Sequence, residues 1–210
     1  MADQQEGRKL SRKERELQFR LNIVLDAALE VFSEKAFGQV SVEEIATRAE
    51  ISVGTLYNLF HSKEEVYTAV VSRSQGEFLD ALERLLGEAR GPREQVLAVV
   101  RGHLQHFASV ENAMKIYISA TNGFQWELRT KLAVEVSERL SGFEAELVNI
   151  CQAGMDEGIF KKDVSAQDLA AVILGVPHSF LMAAARNNPP DVAGGIPAAE
   201  ATVNRLLGTD

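Results

Sequence analysis

Apolar residues recur along this chain at steps of three and four, the spacing that lines one face of an α-helix, and no run alternates as a half-buried strand would. Leu21, Val24, Leu25, Ala28, Leu29 and Phe32 predict a first long helix from near Glu14 to about Lys35, with Phe37 and Val40 closing its small core. Three helix-start signals then crowd together. Ser41 with Glu44 is a capping box for a helix beginning at Val42 and burying Ile45, Ala46 and Ala49, Ser52 offers its hydroxyl to a helix from about Val53 to Phe60, and Ser62 with Glu65 repeats the box for a third.

That third helix keeps its period through Val66, Val70, Phe78, Leu82 and Leu85, until Gly87 and the Gly91-Pro92 pair stop it. Pro92 suits the first turn of the next helix, which carries Val96, Leu97, Val100, Leu104 and Phe107, and a shorter segment covers Asn112 to Ala120. From Phe124 to Met155 the set Leu128, Leu132, Val136, Leu140, Phe143, Leu147 and Ile150 predicts one helix of about eight turns. Ser165 with Asp168 caps a further helix whose apolar pattern contains Pro177, so a kink is expected there. A loop from Asn187 to Gly195 precedes a last helix from Pro197 to Gly208. The fold class is all-α.

The segment Ser41 to Lys63 thus predicts two short helices joined by a tight turn, a helix-turn-helix candidate. Val53, Leu56 and Phe60 fall on the packed arc of its second helix, while Gly54, Thr55 and Asn58 point the opposite way with Tyr57 and Leu59 flanking them. A glycine, a hydroxyl and an amide on an outward face can approach a major groove and bond base edges and phosphates. Lys63, in the first turn of the following helix, adds its charge to exposed amides, a seat for a phosphate. An ordinary helical hairpin with a solvated polar face fits the same pattern.

The run from about Ile23 to Val70, with AALEVFSEKAF followed by SVEEIATRAEISVGTLYNLFHSKEEVY, strongly resembles the DNA-binding domain of the TetR family of bacterial transcriptional regulators, and GTLYNLFHSKEEV from Gly54 to Val66 is its most specific part. The resemblance implies that Gly54, Thr55, Tyr57 and Lys63 touch DNA, with Asn58 at a variable position that often reads sequence. The full expected set of DNA-binding residues is Ser41, Ser52, Gly54, Thr55, Tyr57, Asn58, His61 and Lys63. Two residues depart from the family pattern. Glu50 occupies the inter-helix turn where glycine is usual, so either the turn avoids a left-handed conformation or this residue carries strain, and its charge lies near the phosphate path. Leu59 stands where many relatives have histidine or tyrosine, which removes one expected phosphate contact.

A net charge of −8 at first argues against nucleic acid, but it is unevenly placed. Residues 1–63 carry net −1 and the remainder net −7, and Arg8, Lys9, Arg12, Lys13, Arg15 and Arg20 cluster against only Glu14 and Glu16. That basic arm can add phosphate or minor-groove contacts, or serve as a solvated tail. Cys151 is the sole cysteine, no leader resembling a signal peptide opens the chain, and no run approaches 18 apolar residues, so a cytoplasmic protein with no membrane partner is expected. His103 and His106 share a helical face but have no cysteine or further histidine nearby in sequence, so they read as a polar edge or a pocket lining rather than a metal site. No metal, no cofactor and no catalytic residue is expected, since no phosphate loop, nucleophile elbow or metalloprotease motif is present.

The aromatic residues of the middle helices fit a plain bundle core. The family resemblance implies in addition an inducer cavity among them, with Phe78, His103, Phe107, Tyr117, Trp126 and Phe143 as expected ligand-binding residues. The helices from Ser165 to about Arg186 and from Pro197 to Leu207 are rich in alanine and are expected to form a four-helix homodimer interface, with Leu181, Val203, Leu206 and Leu207 supplying area. Three segments follow: a flexible basic arm over 1–13, a helix-turn-helix DNA-binding domain over 14–62 and a ligand-binding and dimerisation domain over 63–210. The expected function is a ligand-responsive, homodimeric transcriptional regulator, a repressor released from a palindromic double-stranded DNA operator by a small, largely apolar effector. A ligand-insensitive, co-repressed or activating member of the same family is the alternative, and an all-helical enzyme is the rival from another class.

Overall fold

The computed structural model describes residues 11–121, 130–187 and 189–208, and its ordered elements are helical throughout. The chain divides into two compact units, the first ending at Val70 and the second beginning at Val71.

The first unit opens with α1, Arg12–Glu34. It starts two residues ahead of the expected Glu14 and is fixed there by a capping box: Ser11 Oγ accepts from the Glu14 amide at 3.2 Å and Glu14 Oε2 accepts from the Ser11 amide at 2.7 Å. Arg12 and Lys13, expected in a flexible arm, therefore belong to the first turn of this helix, whereas residues 1–10 lie outside the described segments. Val24, Ala28, Val31 and Phe32 are buried on its inner face. A 3-10 turn, Phe37–Gln39, leads to α2, Val42–Arg48, and α3, Val53–Leu59. The Ser41 box is only half made. Its hydroxyl accepts from the Glu44 amide at 3.1 Å, but the Glu44 carboxylate pairs with Lys35 instead of returning to the cap. Ile45 and Leu56 are fully buried, and the rings of Phe32, Phe37 and Tyr67 pack together at separations of 4.9–5.9 Å. Arg48 ties α2 to α1 through Glu30 at 2.8 Å and Glu34 at 3.3 Å.

α4, Lys63–Glu88, runs through the boundary between the units. Its start is capped as expected at Ser62, which accepts from the Glu65 amide at 3.1 Å, while the Glu65 carboxylate reaches one residue further, to the His61 amide at 2.6 Å. In the second unit, α5, Gly91–Ser109, is the central element: Val96, Val99, Val100, Leu104 and Phe107 are buried, and Gly102 lies so close to Leu85 that a Cβ there would come within 2.5 Å. It packs on α6, Glu111–Thr121, α7, Val134–Asp156, α8, Ala166–Ala184, and α9, Ile196–Leu207.

The single helix expected from Phe124 to Met155 is not what forms. Residues 122–129 lie outside the described segments, residues 130–132 are non-helical, and Ala133 is extended, with helix beginning at Val134. A tertiary bond overrides the apolar period here, because the Ala133 amide donates to the buried Ser72 hydroxyl at 2.7 Å and Lys131 Nζ donates to Ala120 O at 2.7 Å. Helix α8 runs unbroken through Pro177, with Ser179 Oγ donating to Gly175 O at 2.9 Å in the adjoining turn. Leu181, Val203 and Leu207, expected at a dimer interface, are fully buried within the chain and supply no outward area; Leu206 is 43% exposed.

Candidate functional site

In the first unit the geometry centres on α3. Ser52 Oγ accepts from the Thr55 amide at 3.1 Å and lies 2.8 Å from Thr55 Oγ1, which fixes the first turn. Gly54, Tyr57 and Asn58 are exposed, Tyr57 by 46%, whereas Thr55 is half-buried at the edge of the face. Thr55 and Leu59 instead turn toward a groove of about 440 Å³ shared with Arg20, Ile23, Arg48 and Glu50. Ser41 and His61 are exposed, and both are already engaged: the serine hydroxyl at a helix cap, the His61 amide on Glu65.

Lys63 takes a position that sequence spacing did not reveal. Its ammonium donates to Phe37 O and Val40 O, each at 2.9 Å, and sits 4.4 Å from the centroid of the Phe37 ring. An ammonium has three donors, so one N–H remains beyond those two carbonyls. The side chain is thereby a clamp between the start of α4 and the 3-10 turn, and it is held in a defined place.

The turn between α2 and α3 answers the question that Glu50 raised. Glu50 has φ +55°, the one left-handed non-glycine residue among those described. The Glu50 amide donates to Thr47 O at 3.1 Å and the Ile51 amide to Ala46 O at 3.0 Å, the paired bonds of a Schellman motif. The turn keeps the shape that glycine favours and places a glutamate in it.

In the second unit, Phe78, His103, Phe107 and Tyr117 are each at most 5% exposed and form one ring cluster, with separations of 4.8 Å for Phe78–His103, 5.3 Å for Phe78–Phe107 and 4.9 Å for Phe107–Tyr117. Phe143 is buried on α7, but none of the ring contacts among the described residues includes it; Trp126 lies outside those residues. His106 joins the cluster 5.4 Å from Phe78, and Tyr117 Oη lies 3.0 Å from His178 Nδ1. Burial and the neighbouring His178 and His106 push His103 down to about 3, and burial lowers His106 as well. Against Phe107 and Tyr117 lies a void of about 10 Å³, also lined by Ser74 and Gln75, two buried polar residues of α4 that sequence reading passed over. Their signal was available: they occupy helical positions neighbouring Val71 and Phe78 on the core side. Burial raises the Cys151 thiol to about 11, so it is protonated at neutral pH.

A three-helix head whose third helix is serine-capped, outward-facing and set after a tight turn is a helix-turn-helix module, and the described elements that follow it in the chain are all helical. Residues 24–70 match the family model described as bacterial regulatory proteins, tetR family. The fatty acid metabolism regulator protein of Bacillus subtilis is 26% identical over 152 residues, covering 72% of this chain and 76% of that protein. The transcriptional activator FasR of Mycolicibacterium smegmatis is 26% identical over 159 residues, 71% of this chain and 70% of its own length. Among solved structures, the transcriptional regulator FadR of Bacillus subtilis in complex with stearoyl-CoA superposes with a TM-score of 0.72 at 23% identity, covering 87% of this chain and 96% of that one. The match to that family model covers the helix-turn-helix head, and the superposition extends the likeness in fold to 87% of the chain.

Proposed function

We propose that this chain is a transcriptional regulator of the TetR family, a repressor that grips a palindromic operator as a homodimer and releases it when a small, largely apolar molecule enters the second unit. The observation that carries the reading is the open face of α3, where Gly54, Tyr57 and Asn58 stand in solvent beside helix starts already capped by Ser41, Ser52 and Ser62. Asn58 meets base edges in this assignment with Thr55 at the margin of the same face, Gly54 allows close approach, and Tyr57, Ser41, Ser52, His61 and the remaining N–H of Lys63 hold phosphates. Residues 14–62 act as the DNA-binding domain and 63–210 as the effector and dimerisation domain, with α4 carrying the change because it starts directly after the DNA-binding domain and runs from the first compact unit into the second. The site of action is DNA in the cytoplasm.

The dimer is supported by α8, an apolar helix long enough by length and composition to cross a membrane yet only 33% buried within the chain. Val172 on α8 and Leu206 on α9 are exposed, as are the small residues Ala183, Ala198 and Ala201, a surface that a second copy would cover. The effector reading is supported by the ring cluster around His103 and by the acyl thioester present in the Bacillus subtilis neighbour.

Selection of the purified protein against a randomised duplex library tests the reading: it should enrich a two-fold symmetric site, and Asn58→Ala should relax preference at one position per half-site by roughly 1–3 kcal/mol. Leu206→Glu should sediment as a monomer and lose tight operator binding. A library that yields no enriched site, or a variant that stays dimeric, removes the corresponding part. Activation is the second reading, favoured by the activator from Mycolicibacterium smegmatis, and in vitro transcription from the selected site decides its sign.

A further inference from the structure

The ring cluster of the second unit contains hydrogen-bonding capacity that the described residues do not meet. His103 is 3% exposed, and neither of its ring nitrogens has a hydrogen-bond partner among those residues; Nε2 of His106 has none either. A neutral imidazole presents one N–H and one lone pair, and a buried polar group held only for packing is ordinarily bonded. Tyr117 and His178 show the ordinary pattern beside it, hydroxyl to ring nitrogen at 3.0 Å. The void lined by Ser74 and Gln75 abuts Phe107 and Tyr117, the two rings that lie 5.4 and 6.2 Å from His103. Phe107 also lines an outer groove of about 260 Å³ with Met114, Pro189, Pro190 and Val192, so one side chain borders both spaces. None of the residues in ring contact with His103 or lining the void is formally charged, whereas Glu111 and Asp191 stand at the outer groove.

We propose that the space beside His103 receives the uncharged oxygen of an aliphatic effector, a hydroxyl or an ester-type carbonyl, admitted by rotation of Phe107 from the groove walled by Pro189 and Pro190. The imidazole N–H donates to a carbonyl or hydroxyl oxygen, and its lone pair can accept from a hydroxyl; any charged portion of the molecule stays in the groove. The void holds no more than about one water, so the side-chain movement is part of binding. This inference rests on the reading of the second unit as an effector domain.

The test uses the full chain and three probes of one chain length, 1-decanol, methyl decanoate and 1-chlorodecane, titrated calorimetrically into wild type, His103→Leu and His103→Gln. Wild type should bind the two oxygen-bearing probes at least tenfold more tightly than 1-chlorodecane. His103→Leu should close that gap while keeping its affinity for 1-chlorodecane, and His103→Gln, which retains a donor and an acceptor, should restore part of it. Equal affinity of all three probes for wild type, or an undiminished preference in His103→Leu, overturns the proposal and leaves the effector domain standing. Binding of none of them overturns the aliphatic effector as well. If His103→Leu does not fold, the wild-type comparison and His103→Gln still decide.

Discussion

The two units treat their polar groups in opposite ways. In the first, the polar groups find partners: four serine hydroxyls cap four helix starts, each on an amide three residues on, Glu65 takes the His61 amide, and the Lys63 ammonium closes on two carbonyls 23 and 26 residues away. In the second, Ser72 finds its partner 61 residues away at Ala133, and His103 finds none among the described residues. A surface that presents fixed donors to a rigid duplex gains from complete bonding. A chamber that must bind something later gains from capacity left unmet, at the expense of stability.

Acid should expose this contrast most strongly. His103 is neutral in the folded chain down to about 3 but protonates near 6.5 when unfolded, so between those values the unfolded state binds the extra proton and stability rises with pH. The contribution is complete above pH 6.5 and is lost as pH falls toward 3. At pH 5 the loss is about 2 kcal/mol. Urea unfolding at fixed protein concentration should show wild type losing about that much more than His103→Leu between pH 7.5 and 5. Equal losses would mean that His103 is solvated or partnered, and the contrast between the units would fail.

The intermediate effect concerns Lys63. Removing its ammonium leaves Phe37 O and Val40 O without their charged donor, so Lys63→Ala should cost about 1–2 kcal/mol of stability, because this site is only partly buried. It should also weaken DNA binding evenly across sequences and reduce the salt slope by about 1 if the third N–H meets a phosphate. Chemical denaturation and salt-dependent anisotropy separate these outcomes. An altered sequence preference with unchanged stability would reverse the roles assigned to Lys63 and Asn58.

What the sequence made legible follows the same division. Helix starts at Val42, Val53 and Lys63 were readable because a serine cap and its target amide lie three residues apart. The gathering of Phe78, His103, Phe107 and Tyr117 was readable only through family resemblance, since these rings come from three helices. The break before Val134 was not readable at all, because the hydroxyl that holds Ala133 extended belongs to Ser72 on α4. Nor was the inward burial of Leu181, Val203 and Leu207, for helical spacing shows which residues share a face but not whether that face meets its own chain or a second copy.

The smallest effect tests the one place where the first unit departs from its own economy. Glu50 holds φ +55° in a turn whose two Schellman bonds are both made, so the hydrogen bonding is complete and the strain is confined to one residue's Cβ. Relief of a left-handed non-glycine residue is worth about 1–2 kcal/mol, and the greater freedom of glycine in the unfolded chain offsets about 0.5–1 of that. Glu50→Gly should therefore stabilise the protein by about 0.5–1 kcal/mol. With α3 docked as proposed, it should also tighten operator binding modestly at low salt, since the turn leading into that helix loses a negative charge facing the phosphates. Glu50→Gln separates the two causes, because it removes the charge while keeping the Cβ. The glutamine variant should gain the DNA affinity and not the stability. If it matched glycine in stability, charge rather than backbone conformation would be what this turn carries, and the head would hold no conformational strain at all.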